Sequence, residues 1–327
     1  MKIRLKVYFF TACVGILGLS VFSWAETGET FNASLEGIYW QPIGLDLPVT
    51  QPVATTVPGP ASDVRNGASR GIEYGFSAGY RLTTTRKNLR VRWLSLQTDK
   101  DYNTECPSGN CISAQRGSGG YIQGLALLSA SAKSATRLQI LDFDFLAPLS
   151  TNAFTASFGL RYARIYNNMR VNYLSMPFPQ SSVNDQQSKK VNNMIGFRTG
   201  IEGNYQISTG VRFIGSTAIS LLYGNSHSHE TEIDNFNNGA TIRSSWTSAT
   251  YKLMVPEIEM GLKLMYTRVR DFDIWLGYDF LKFIDGLVGQ TFVGSSTYSS
   301  TQVTRQNVAF MGASLGLRWR FSNPAGV

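Results

Sequence analysis

Four short stretches put like charges two residues apart. Arg90 and Arg92 bracket Val91, Asp142 and Asp144 bracket Phe143, Glu257 and Glu259 bracket Ile258, and Arg318 and Arg320 bracket Trp319. Residues two apart in an extended chain share a face. Each doublet therefore shows two charges on one side and an apolar residue on the other. Groups set this way can pair with opposite charges, line a route for ions, or hold a charged solute. His227 and His229 in "NSHSHETEID" would share one side of an extended segment, with Glu230, Glu232 and Asp234 on the other. That spacing makes them weak metal-ligand or proton-relay candidates, and a polar surface loop is the simpler account. No nucleophile elbow, phosphate loop or zinc spacing is present, so neither an enzyme nor a cofactor is expected.

The elements that position these charges follow from the same period. In "IEYGFSAGYRL", Ile72, Tyr74, Phe76, Ala78, Tyr80 and Leu82 alternate with Glu73, Ser77 and Arg81. In "ASLGLRWRF", Ala313, Leu315, Leu317, Trp319 and Phe321 alternate with Ser314, Gly316, Arg318 and Arg320. Similar alternation runs through "NLRVRW", "LDFDF", "AFTASFGLRY", "IGFRTGIEGNY", "VRFIGSTAISLLY", "MVPEIEMGLKLMY" and "FDIWLGYDF", with a weaker first segment, "FNASLEGIYW". Strict alternation marks β-strands with one apolar and one polar face. The count is ten strands. The phase puts Arg81, Arg90, Arg92, Arg161, Arg198, Arg212, Lys263, Arg318 and Arg320 on the polar face, with Glu36, Glu73, Asp142, Asp144, Glu202, Glu257, Glu259, Asp273 and Asp279. Nine basic residues against nine acidic ones exclude a strongly single-sign surface.

The N-terminus decides which solvents the two faces meet. Lys2, Arg4 and Lys6 precede the apolar run "VYFFTACVGILGLSVF" and small residues at Ser23 and Ala25. This pattern predicts a signal peptide over residues 1–25 and one mature domain over 26–327. Without those three cations, the whole-chain net charge of +8 falls to +5. An exported chain of that mild charge is not expected to bind nucleic acid. No later stretch is apolar enough for a spanning helix, which leaves a soluble β-sandwich or a membrane barrel. Cys106 and Cys111, in "ECPSGNC", are expected to form a disulfide in an oxidising compartment.

The connections choose between sandwich and barrel. Long ones are expected near 41–70, 100–134, 175–191, 224–246 and 285–305, and short ones near 83–87, 147–152, 207–210 and 267–270. Long and short connections alternate in outer membrane barrels, with short periplasmic turns and long outer loops. The expected fold is thus an antiparallel up-and-down transmembrane barrel, closed by pairing the last strand with the first. The apolar face meets lipid and the charged face lines the lumen. "YIQGLALLSASA" at 121–132 is either a short loop helix or half of an extra hairpin. Pro256 removes a ladder hydrogen bond, so a bulge or broken pair is expected there.

The segments "GLRYARI", "ISLLYG", "VPEIEMGLKL" and "LGYDF" resemble those of the Legionella-type major outer membrane proteins, and the likeness runs over most of residues 31–321. The resemblance implies a pore-forming β-barrel in the outer membrane of a Gram-negative bacterium. Its expected partners are membrane lipid and lipopolysaccharide, the barrel assembly machinery, and the small solutes or ions that pass. The alternatives are a salt-bridge-plugged structural barrel, an adhesin whose loops bind host surface ligands, and a loop-rim protease.

Overall fold

The computed structural model describes residues 30–43, 50–52, 72–86, 88–105, 112–114, 127–149, 153–175, 182–236, 241–269, 272–295 and 298–322. Every regular element among them is a strand: β1 (Thr30–Ile43), β2 (Thr50–Pro52), β3 (Ile72–Arg86), β4 (Leu89–Glu105), β5 (Ile112–Ala114), β6 (Leu127–Pro148), β7 (Phe154–Ser175), β8 (Ser182–Ser208), β9 (Val211–Phe236), β10 (Thr241–Val269), β11 (Phe272–Ser295) and β12 (Tyr298–Ser322). Ten of them close an antiparallel barrel in the order β1-β12-β11-β10-β9-β8-β7-β6-β4-β3. Closure is as the pattern predicts. β1 pairs with β12 from Thr30↔Ser322 to Ile43↔Ala309, and with β3 from Phe31↔Arg86 to Ile38↔Gly79. The small β2–β5 sheet joins the two longest connections.

The two-residue period holds around the wall. Leu35, Phe143, Phe158, Phe197, Ile219, Leu262, Leu276 and Leu315 are all exposed on the outer face, Phe197 by 78%. Soluble monomers rarely expose contiguous apolar patches beyond a few hundred Å², so a belt of this kind belongs in hydrocarbon. Phe272 and Trp319 meet edge-to-face, 6.1 Å apart, at its short-turn rim. On the inner face, Glu36, Arg81, Asp142, Asp144, Arg161, Arg198, Glu257, Asp273 and Asp279 are buried.

Leu317→Arg tests this phase. Leu317 lies between Leu35 and Ile274 on the outer face. A guanidinium there, one inward step from the aromatic rim, should cost about 1–2 kcal/mol, between the interface and midplane values, and lower refolding yield in lipid. A variant that refolds like the wild type would invert the assignment of faces.

Strand length departs from expectation. Membrane strands need about 9–11 residues, but β6 to β12 have 22 to 29. At ~3.3 Å per residue, the longest must run well beyond a bilayer. The stretches expected as loops at 175–191, 224–246 and 285–305 are mostly strand, for example Asn184↔Asp234 and Lys189↔His229 across β8 and β9. Alternation vanishes there because water meets the outer face while polar groups fill the inner one. The backbone ladder continues regardless, since it depends on pairing and not on lipid. Residues 127–132 likewise open β6, which decides that part of the ambiguous stretch as barrel strand, and 121–126 lie outside the described residues.

Pro256 disturbs only one side of its strand. On β9 the register passes through it without a shift, Val255↔Leu222, Pro256↔Leu221, Glu257↔Ser220. On β11 the pairing begins at Glu257↔Phe283 and runs only toward the short-turn end. The expected broken pair is therefore on the β11 side alone, where the missing N–H would have pointed.

Candidate functional site: the barrel interior

The inward charges are drawn together near the short-turn end. Adjacent strands supply the first pairs, because the register sets opposite charges side by side: Arg90↔Asp144, Arg92↔Asp142, Asp142↔Arg161, Glu36↔Arg81 and Asp273↔Arg318. Directly opposed charges of this kind stabilise a sheet. The same cations also make chords across the lumen. Arg161, fully buried, lies 2.6 Å from Asp142 and 2.6 Å from Glu259, and also bonds Glu257. Arg92 Nη1 reaches Glu259 at 2.5 Å, and Arg198 reaches Asp144 at 2.9 Å and Glu259 at 3.3 Å. Arg90 adds Asp144 at 2.9 Å and Glu202 at 3.1 Å.

A second group surrounds Glu36. Arg81 and Lys263 each lie 3.0 Å from its carboxylate, and the Trp275 indole donates to it at 3.3 Å. Lys263 also stands over the Trp275 ring at 5.1 Å. Arg81 reaches Asp279 at 3.4 Å, and Ser314 donates to Asp279 at 2.9 Å. Gly316 makes room for this indole, since a Cβ there would meet it at 2.1 Å. A third group joins Asp273 to Arg318 at 2.6 Å and Arg320 at 3.4 Å. Arg318 therefore belongs to Asp273, its register neighbour, and not to Glu36 on the far side of the strand pair.

Of the eighteen charges assigned to the lumen by phase, sixteen fall in these three groups. Arg212 does not join them. It sits at the short-turn rim and donates to Gln206 at 3.1 Å. Glu73 lies opposite Tyr102 in the β3–β4 ladder, and its side chain lies outside the described residues. Cys106, Cys111 and residues 1–25 lie outside them too. His227 and His229 lie on the exposed side of β9, not in a loop, and His227 Nδ1 contacts Thr250 Oγ1 at 2.9 Å. Among the described residues no group of three His, Cys, Asp or Glu side chains converges as a metal site.

One or two steps farther along each strand, toward the long-loop end, the inward face changes character. Glu36 gives way to Ile38 and Trp40, Arg92 to Leu94 and Leu96, Asp142 to Ile140 and Leu138, Glu257 to Val255 and Leu253, and Asp279 to Leu281 and Phe283. These residues form one buried apolar cluster with Val308 and Phe310. The lumen thus has an apolar waist above its charged layer. Reading only the polar phase of each strand missed it. Its sequence signal is apolar residues on both phases at once, as in "LQIL" and "KLMV", because a strand buried on both faces loses its alternation.

β11 completes the waist by parting from β10 while keeping its ladder with β12. Its register with β12 shifts between Phe283 and Leu287, where Asp285 adopts φ 55°. Gly286, Leu287 and Val288 are buried in succession. Asn192 of β8 donates to the Gly286 carbonyl, and Ser226 of β9 donates to the Val288 carbonyl at 2.7 Å. This segment has crossed from β10 to the inner side of β8 and β9. Among the described residues, β10 beyond Pro256 pairs with β9 alone.

Below the waist, a cavity of about 230 Å³ lies at the short-turn end, among the charged layer. Its lining includes Arg81, Arg90, Arg92, Arg198, Lys263 and Arg318.

The family model described as Legionella pneumophila major outer membrane protein precursor matches residues 25–321. No curated protein matches the chain. Among solved structures, a major outer membrane protein from Thermus thermophilus is similar at 11% identity, covering 90% of this chain and 99% of that one, with a TM-score of 0.27. The translocator domain of the autotransporter NalP from Neisseria meningitidis is similar at 9% identity, covering 95% and 97%, with a TM-score of 0.29. The toluene transporter TodX from Pseudomonas putida is similar at 8% identity, covering 91% of each, with a TM-score of 0.25. These overlaps are loose, and the closed barrel rests on its own strand pairing.

Proposed function

The chain belongs to the Legionella pneumophila major outer membrane protein family, and from that premise we propose that it is a porin-like pore of the outer membrane, shut at its waist. When open it passes small hydrophilic solutes or ions and catalyses no reaction. Residues 1–25 act as the cleaved export leader. The assembly machinery for outer membrane barrels inserts the mature chain, which then contacts membrane lipid and lipopolysaccharide.

The observation that carries this reading is the stacking of an apolar waist on a charge-lined vestibule. Hydrophobic constrictions gate channels by dewetting. The waist is closed partly by the displaced β11 segment, which stays paired with β12, packs Leu287 and Val288 into the waist and takes two side-chain hydrogen bonds from β8 and β9. Having parted from β10 at one register break while still paired with β12, this segment is a hinged hairpin arm that can return to the wall and pair with β10.

A permanently plugged barrel, serving as a scaffold or adhesin, has one observation in its favour. Charged chords such as Arg161–Glu259 and Arg92–Glu259 already span the lumen. Single-channel recording of refolded protein in planar bilayers separates the two. Discrete openings with a reversal potential in a salt gradient are expected. A silent bilayer, with heat-modifiable barrel present, would leave the plugged barrel standing and end the pore reading.

A further inference from the structure

The charges of the lumen balance in number but not in depth. Of the carboxylates in the three ion-pair groups, Asp142, Asp144, Glu257 and Asp273 are at most 2% exposed and do not line the cavity. Glu36, Glu202, Glu259 and Asp279 do line it. Six of the cations line it, namely Arg81, Arg90, Arg92, Arg198, Lys263 and Arg318. Arg161 and Arg320 do not. The cavity wall therefore carries six positive charges against four negative ones, and half of the eight carboxylates lie behind that wall.

We propose that this vestibule is an anion site, holding a small oxyanion, a phosphate or a solute carboxylate, that enters from the short-turn end. A guanidinium carries five donors and an ammonium three, so these ion pairs leave N–H groups for a further acceptor. Lys263 spends its ammonium on one carboxylate, Glu36, and Arg318 spends donors on Asp273 and the Met265 sulfur. Charge-assisted bonds from such groups to an oxyanion are short and strong. Arg212 and Arg320 stand near the same end of the barrel and add to the field that draws an anion in. The volume of about 230 Å³ admits phosphate with part of its water. The lining belongs to the inner face, so the ligand is a free solute and not a lipid headgroup. Use of the site in transport rests on the pore reading; binding itself does not.

The test is calorimetric titration of refolded barrel, in a non-ionic detergent at low chloride, with inorganic phosphate. Saturable binding is expected. Lys263→Met should weaken it about tenfold, the worth of one hydrogen bond to a charged group. Glu202→Gln, at the exposed rim, should tighten it. If Lys263→Met yields no heat-modifiable band, Arg318→Gln takes its place with the same expected direction. Absence of saturable heat in the wild type would overturn the site, as would the lysine and glutamate variants shifting affinity the same way. Soluble short-chain phosphatidylglycerol forms a second arm, and its binding where phosphate fails would overturn the free-solute assignment. Phosphate binding in a barrel that never conducts would sink the pore and leave the site. Conduction without binding would do the reverse.

Discussion

Arg161→Met should lower the stability of the barrel by about 3–5 kcal/mol, the range for breaking a buried ion pair by removing one partner. Refolding yield should fall accordingly. The size comes from what remains behind. Arg161 serves Asp142, Glu257 and Glu259 at once, and all of them are buried. Asp142 and Glu259 keep Arg92, but Glu257 has no other ion-pair partner among the described residues. A carboxylate stranded in a low-dielectric lumen must be neutralised or hydrated, and both are costly. Arg170→Met is the matched control on the same strand. Its pair with Asp185 is exposed, and exposed pairs contribute about 0–1 kcal/mol. Urea titration followed by gel mobility, with and without boiling, reads both variants. Equal midpoints for the two would mean that the charged layer adds nothing to folding.

On the pore reading, Phe283→Ala should raise the conductance of the barrel. Phe283 is fully buried in the waist and lies at the point where β11 departs from β10. Truncating it opens space beside the register break. The expected stability cost is about 3–5 kcal/mol, as for Phe→Ala in other cores. Val308→Thr is the companion variant. Val308 lies opposite Phe283 in the β11–β12 register and is also fully buried. A threonine nearly keeps the volume and offers water a partner, so wetting is promoted without a cavity. Both variants should raise the time-averaged current in planar bilayers, and the threonine variant should do so with less loss of stability. If both fold and neither conducts more than the wild type, the waist is not the barrier, and the charged chords below it become the occluding layer.

The faces of the wall were legible in the sequence alone. A two-residue period is a local property, and each of the ten barrel strands declared it over its membrane-facing part without knowing its neighbours. That is why the lipid-facing set, from Leu35 to Leu315, and the inward placement of Arg161, Asp142 and Glu257 needed no coordinates. The partners of those charges were not legible. Arg318 pairs with Asp273 because the β11–β12 register sets them side by side, and Arg161 meets Glu257 and Glu259 because closure brings β7 across from β10. Register and closure are global quantities that no single strand encodes. The waist was hidden for a different reason. Alternation reports the difference between two faces, and where both are buried in apolar surroundings, as at Leu138, Ile140 and Leu141, that difference disappears. The extended strand tops were hidden likewise, since polar groups on both faces read as loop. The inward swing of β11 depends on tertiary structure entirely. It arises where Pro256 withdraws an N–H from one seam while Asn192 and Ser226 offer hydrogen bonds from two other strands.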